Sequence, residues 1–228
     1  IQNATWLSNP TIAVWTVPLM YLGLWSWVKN HKSWGPPLTA IGLGLSIQSE
    51  IFLLYHVVPL AIWLWISKKN VTRKEMSIFA TLLLISVFSI IFSQIKFGFR
   101  GIEGIKQLAI TGEGNLAYAR SLGDYLILYL NQIGRIFAFN SYPGNIGYGG
   151  MLVVVLALLG FFQSNQAVKF LATWLFSHAT VVTVGGSSTP FLMAGIGPAV
   201  SILIAYYLYK WWTGNFKTVA AAIFLVII

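Results

Sequence analysis

Three sets of polar residues interrupt the apolar runs of this 228-residue chain, and each has a type and spacing suited to chemistry. The first is Gln48-Ser49-Glu50, set between two apolar stretches. An ionisable group at membrane depth is costly and is a functional candidate by default. Glu50 beside Gln48 suits contact with a phosphate, a sugar or a cation. The plainer alternative is an interfacial turn residue in water. The second set is His56 and His178, which would point into one outward-facing cavity. The plainer alternative is a neutral histidine hydrogen-bonded to a neighbouring carbonyl. Two histidines without a third ligand are weak support for a metal. The third set is Lys96 and Arg100, four residues apart, with Glu103 three further on. If a helix continues through them, the two cations share a face. Such a pair suits a lipid phosphate or pyrophosphate, and Arg can bind it in a bidentate manner. Alternatively both side chains snorkel to the headgroups.

The elements that hold these residues follow from composition. Hydrophobic residues make up 57% of the chain and charged residues 8%, against roughly 25% charged in soluble proteins. Mean hydropathy is +0.76. A soluble fold could not cover its surface with so few charges, and a disordered chain requires low hydrophobicity. Long unbroken apolar runs argue against a membrane β-barrel, whose strands alternate over about ten residues. The expected fold class is all-α, a polytopic transmembrane helix bundle forming one domain over 1–228. The formal net charge of +9 does not point to nucleic acid, because the basic residues lie at the ends of apolar runs rather than on one face of a module. There is no cysteine, so thiolate metal sites and disulfides are excluded. No P-loop, G-x-G-x-x-G or G-x-S-x-G motif occurs, and no carboxylate pair stands out as an acid/base couple.

The expected spans are 10–27, 76–95, 149–162, 167–184 and 191–209, with another beginning at Thr218. A span needs about 20 residues, so Pro36–Ile66 is too long for one helix. It divides at Gln48-Ser49-Glu50 into a short helix and a second helix from Ile51. Asn9-Pro10 reads as an N-cap followed by Pro at the first helical position. Pro190 and Pro198 read as a helix start and a kink. Threading these spans puts Lys29, Lys32, Lys68, Lys69, Arg73, Lys74, Lys169, Lys210 and Lys217 on one side, and Lys96, Arg100, Lys106, Arg120 and Arg135 on the other. The first side is therefore cytoplasmic. Trp25, Trp27, Trp34, Trp63, Trp65, Trp211 and Trp212 fall near that interface as an aromatic belt. Residues 96–147 form one long extracytoplasmic loop. Within it Leu122, Tyr125, Leu126, Tyr129, Ile133 and Ile136 keep helical spacing, as in a helix lying on the membrane surface. The chain reads as the middle of a longer protein.

The order of segments carries a family resemblance. Asn9-Pro10 opens a span. The short span Ile41-Gly42-Leu43-Gly44-Leu45-Ser46-Ile47-Gln48 turns at once into an apolar helix ending near Pro59. A basic loop and a span ending Lys96-Phe97-Gly98-Phe99-Arg100 follow, and later come Pro190-Phe191 and Gly197-Pro198. This resembles the middle and later spans of bacterial polytopic glycosyltransferases of the dolichyl-phosphate-mannose protein mannosyltransferase-like superfamily, the GT-C fold. The resemblance implies a polyprenyl-phosphate sugar donor, transfer on the extracytoplasmic face of the bacterial inner membrane, and a glycan, lipid or protein acceptor. Its other partners would be membrane lipids, with no nucleic acid. The family's key acidic residue belongs to the first outer loop, expected before Ile1, so the resemblance names no catalytic residue here. Many relatives carry a basic residue at the short-span turn and another just before the aromatic at Phe191. This chain has Gln48-Ser49-Glu50 and Ser188-Thr189-Pro190 there, which leaves Lys96 and Arg100 for the phosphate. No cofactor is identified. A divalent metal is compatible with the superfamily, although the sequence shows no ligand set. The expected substrate-binding residues are Gln48, Glu50, His56, Lys96, Arg100 and Glu103. The competing readings are a transporter or flippase of lipid-linked or small polar substrates, and a polymerase or ligase of surface polysaccharide. The inverted repeat common in transporters is not visible.

Overall fold

A computed structural model describes residues 2–99, 121–134, 154–159, 162, 165–178, 191–218 and 221. Every regular element among them is helical, so the chain is all-α. Among the described residues the α-helices are, in order, α1 (Gln2–Val28), α2 (Gly35–Ser49), α3 (Val57–Ile66), α4 (Arg73–Lys96), α5 (Leu122–Gly134), α6 (Gln166–Leu175) and α7 (Phe191–Thr213). Two 3-10 segments, Ile51–His56 and Phe176–His178, precede α3 and follow α6. The chain divides into two compact units. One contains Ile1–Ala119 and Ser177–Ser187; the other contains Arg120–Phe176 and Ser188–Ile228.

In the first unit α2 is the central helix. From α1, Ala13, Val17, Met20, Tyr21, Leu24 and Trp27 are buried, a spacing that keeps one helical stripe inward. They meet Thr39, Ala40, Leu43 and Ile47 of α2. The approach is close enough to require glycine. A Cβ on Gly42 would lie 2.5 Å from the Met20 backbone nitrogen, and one on Gly44 would overlap Ser86 of α4. Small residues on α2 thus let both neighbours come near. Buried hydroxyls join the same seam. Ser46 Oγ is hydrogen-bonded to Thr16 Oγ1 at 2.8 Å and to the Gly42 carbonyl at 2.7 Å.

Both ends of α4 are set by local chemistry. Thr72 Oγ1 accepts from the Glu75 N–H at 3.2 Å, while Glu75 Oε2 accepts from the Thr72 N–H at 2.8 Å. This reciprocal capping box fixes the start. At the other end Gly98 takes a left-handed φ of 62°. The Phe99 N–H then reaches the Gln94 carbonyl at 2.7 Å, and the Gly98 N–H reaches Ile95 at 3.3 Å. That is a Schellman stop. Between these ends α4 is long and apolar enough to cross a membrane. Among its described residues only Phe79 is buried.

In the second unit α6 and α7 pack with residues 154–159 around Leu156, Val168, Ala172, Leu175, Ile196, Val200, Leu203 and Tyr207. Asn165 caps α6, accepting from the Ala167 N–H at 2.9 Å and donating to the Tyr206 hydroxyl at 2.9 Å. The Trp174 indole N–H donates to the Gly195 carbonyl at 2.7 Å. Pro198 lies inside α7. A reciprocal Ser121–Asp124 cap starts α5, where Leu122 and Leu126 are exposed.

Several expectations change. α1 begins at Gln2, so Asn9-Pro10 lies within a helix rather than at its cap; a proline there deletes one backbone hydrogen bond without ending the helix. The α-helical part of the span expected at 167–184 ends at Leu175 and tightens into a 3-10 turn. Trp27 and Trp63 do not belong to an exposed belt. Both are buried, Trp27 against Phe79 at 5.5 Å and Trp63 under the Lys29 ammonium at 5.0 Å. Ile136, Lys106, Arg120, Arg135 and Pro190 lie outside the described residues.

Gly→Ala ordinarily favours a helix by about 1 kcal/mol. At Gly42 overpacking costs about 1–3 kcal/mol and reverses the sign. Gly42→Ala should therefore lower the thermal unfolding midpoint in detergent. Gly197→Ala, where an added Cβ meets nothing within 4 Å, should raise it.

Candidate functional site

The turn after α2 is built from one extended residue. Glu50, at φ −155° and ψ 112°, stops the helix while its N–H still bonds the Ser46 carbonyl at 3.0 Å. Its own carbonyl accepts from the Leu53 N–H at 2.9 Å and so starts the 3-10 segment. The reversal is tighter than the expected polar turn: Gln48 and Ser49 remain in α2, and regular α-helix resumes only at Val57.

Glu50 stands in an extended conformation outside the 3-10 segment, and this together with the rise of the segment sets it apart from His56. Three residues per turn align positions i and i+3, and Leu53 and His56 are both fully buried. Six residues at a rise of about 2.0 Å set Glu50 and His56 about 12 Å apart along the segment. Glu50 is half-exposed whereas His56 lies inside the packing. An α-helix would have placed them only about 9 Å apart.

His56 is the centre of a buried polar cluster. The Tyr21 hydroxyl of α1 is hydrogen-bonded to His56 Nδ1 at 2.9 Å. Ser177 Oγ lies 3.5 Å from the same nitrogen. The Tyr55 ring is tilted over the imidazole at a centroid distance of 4.1 Å, and the Tyr21 ring meets it edge-on at 5.5 Å. A buried polar atom is costly without a hydrogen bond, and at Nδ1 of His56 it is hydroxyls that supply the contact. This arrangement holds α1, the 3-10 segment and the stretch at Ser177 to one point. It does not present the ring on an outer surface. Tyr21, Tyr55 and Ser177 escaped the sequence reading. Tyr55 is the one with a local signal, as an aromatic beside the histidine. Ser177 is 121 positions away.

Gln48 is exposed but engaged. Its amide donates to the Ser86 carbonyl and, at 3.3 Å, to Ser89 Oγ, tying α2 to α4. Lys96 lies at the exposed end of α4, with Nζ 5.5 Å from the Phe97 ring. Seven residues separate it from Ser89, about 10 Å of helix. The stop at Gly98 removes the condition under which Lys96 and Arg100 would share a helical face. Arg100 and Glu103 lie outside the described residues, as does the side chain of His178. The structure therefore brings Gln48, Glu50 and the end of α4 to the same end of the first unit, and sets His56 deeper in the core. Among the described residues no group of three or more His, Asp or Glu stands together as a metal site.

Comparison with known proteins gives no match: no family model, no curated protein and no solved structure is found similar to the chain.

Removing the Tyr21 hydroxyl takes away the short hydrogen bond to His56. Tyr21→Phe should cost about 1–3 kcal/mol of stability. Combining it with His56→Leu should cost less than the sum of the single changes. A double-mutant cycle on unfolding midpoints in detergent checks the coupling.

Proposed function

We propose that this chain is part of a membrane-embedded glycosyltransferase that moves a sugar from a polyprenyl-phosphate donor to a glycan, lipid or protein acceptor on the extracytoplasmic face. In this reading the helices form a polytopic transmembrane bundle. The observation that carries it is the polarity of the first unit along its axis. Lys29, Lys68, Lys69, Arg73 and Lys74 gather at one end, where Trp27 meets Phe79 and Lys29 meets Trp63. Gln48 contacts Ser89, sixteen residues beyond Arg73, about 24 Å along α4. The Gln48–Glu50 turn and Lys96 therefore belong to the opposite end. That separation is what the positive-inside rule requires of a spanning unit. It also supports a polar, outward-facing site at the turn. The segment order that resembles the GT-C fold supports the reading: a short helix, a tight turn, a 3-10 segment with the ten-residue α3, and after a basic connection the long apolar α4.

The chemistry is a displacement at the anomeric carbon. A carboxylate takes the proton of the acceptor hydroxyl, the new C–O bond forms, and the bond to the phosphate oxygen breaks with its electrons leaving on phosphate. Lys96 and Arg100 would stabilise the departing lipid phosphate. Gln48 and Glu50 would contact sugar or phosphate at the same end.

The test supplies radiolabelled polyprenyl-phosphate sugars to membranes containing the full-length protein. Label should pass from the lipid to an acceptor, and the Lys96→Ala/Arg100→Ala variant should transfer at least about tenfold more slowly. Unchanged transfer by a well-folded variant would remove the cations from the mechanism. Labelled lipid that crosses the bilayer intact, with no transfer, would overturn the enzyme in favour of a flippase.

A further inference from the structure

We propose that the basic end of the first unit is a docking surface for anionic phospholipid headgroups. The proposal rests on the membrane-embedded reading above and adds a lipid specificity to it. Four helix termini converge at this end. The close of α1 meets the start of α4 through Trp27 and Phe79, and meets α3 through Lys29 over Trp63. The start of α2 lies against α1, with Gly35 beside Trp27. Two helices begin here and two end, so their dipoles oppose one another and the side-chain charges decide the local potential. Those charges are Lys29, Lys32, Lys68, Lys69, Arg73 and Lys74. All are exposed except Lys29, which is half-buried against Trp63.

The acid in these connecting segments is Glu75, and it is already occupied. Its Oε2 accepts from the Thr72 N–H at 2.8 Å and from Thr72 Oγ1 at 3.0 Å. Glu75 offsets one positive charge, and the exposed Lys32, Lys68, Lys69, Arg73 and Lys74 outnumber it. Charge alone would also suit nucleic acid or an acidic protein. The apolar surroundings favour a lipid surface. Trp65 is 71% exposed, Ile66 61% and Trp34 45%, and beyond them α4 continues with Leu84, Ile85 and Phe88 exposed. Cations set where exposed apolar helices end, with tryptophans between, lie at headgroup depth. Ordinary snorkelling would be satisfied by any phosphate, including that of zwitterionic phosphatidylcholine. A net cluster of like charge around a single internally bonded carboxylate instead discriminates by net lipid charge.

The experiment reconstitutes the full chain in phosphatidylcholine bilayers and adds spin-labelled phosphatidylglycerol or spin-labelled phosphatidylcholine. The fraction of each probe immobilised at the protein gives their relative association constants. Phosphatidylglycerol should be favoured at least about threefold at low salt, and the ratio should fall toward one in about 1 M NaCl. It should also fall in the Lys68→Gln/Lys69→Gln/Arg73→Gln/Lys74→Gln variant, whereas Lys68→Arg/Lys69→Arg/Lys74→Arg should keep it. Equal association of both probes with the native chain, or a preference that survives both salt and the glutamine changes, would overturn the proposal. If neither probe is immobilised, the membrane-spanning reading fails and this surface fails with it.

Discussion

The first unit depends on how closely α2 can approach its neighbours. Gly42 against the Met20 backbone and Gly44 against Ser86 remove the side-chain layer that normally separates helices. Dispersion between surfaces grows quickly as the gap closes, and the buried hydroxyls of Thr16 and Ser46 find partners at that distance. Much follows from this contact. It sets α1 beside α2, sets α4 beside α2 on another face, and lets Gln48 reach Ser86 and Ser89. A larger residue at either glycine would separate these elements and the polar turn they frame.

The same packing gives the unit two chemically different ends. One end collects short connections rich in lysine, with a carboxylate held in a capping box. The other carries Glu50 in an extended conformation and Lys96 beside a Schellman stop. Between them, the His56 cluster joins residues from α1, the 3-10 segment and the stretch at Ser177 through a single imidazole nitrogen. A buried polar node depends on its partners, and Tyr21 and Ser177 stand at Nδ1. Here they come from segments far apart in sequence.

Much of the helical pattern was legible because it depends on local chemistry. The break at Glu50, the helix from Arg73 to Lys96, the helix at Leu122–Gly134 and the start of α7 at Phe191 agree with apolar run lengths and helical spacing. The stop at Gly98 was legible in principle, since glycine is the residue that enters the left-handed region without strain. The helical character of Gln2–Pro10 was not, because a proline preceded by asparagine is also an ordinary helix start. The 3-10 form of Ile51–His56 was missed for a related reason. Both helix types admit the same apolar run, and tertiary packing selects between them.

The sequence by itself determined the helical class, the apolar lengths and the gathering of most basic residues near the ends of apolar runs, because these follow from residue-by-residue transfer and backbone costs. It also marked Gln48, Glu50, His56 and Lys96 as polar residues bordering or interrupting apolar runs. Only the tertiary structure decided which of them share a location. It turned His56 inward onto Tyr21, committed the Gln48 amide to α4, and ended α4 before Arg100. Those outcomes depend on the distance between helix axes and on the rise of a short 3-10 segment, and no single stretch of chain encodes either quantity. The physical reason is that hydrogen bonds and close packing reward particular pairs of residues. Spacing along the chain reports only which face of its own helix a residue occupies.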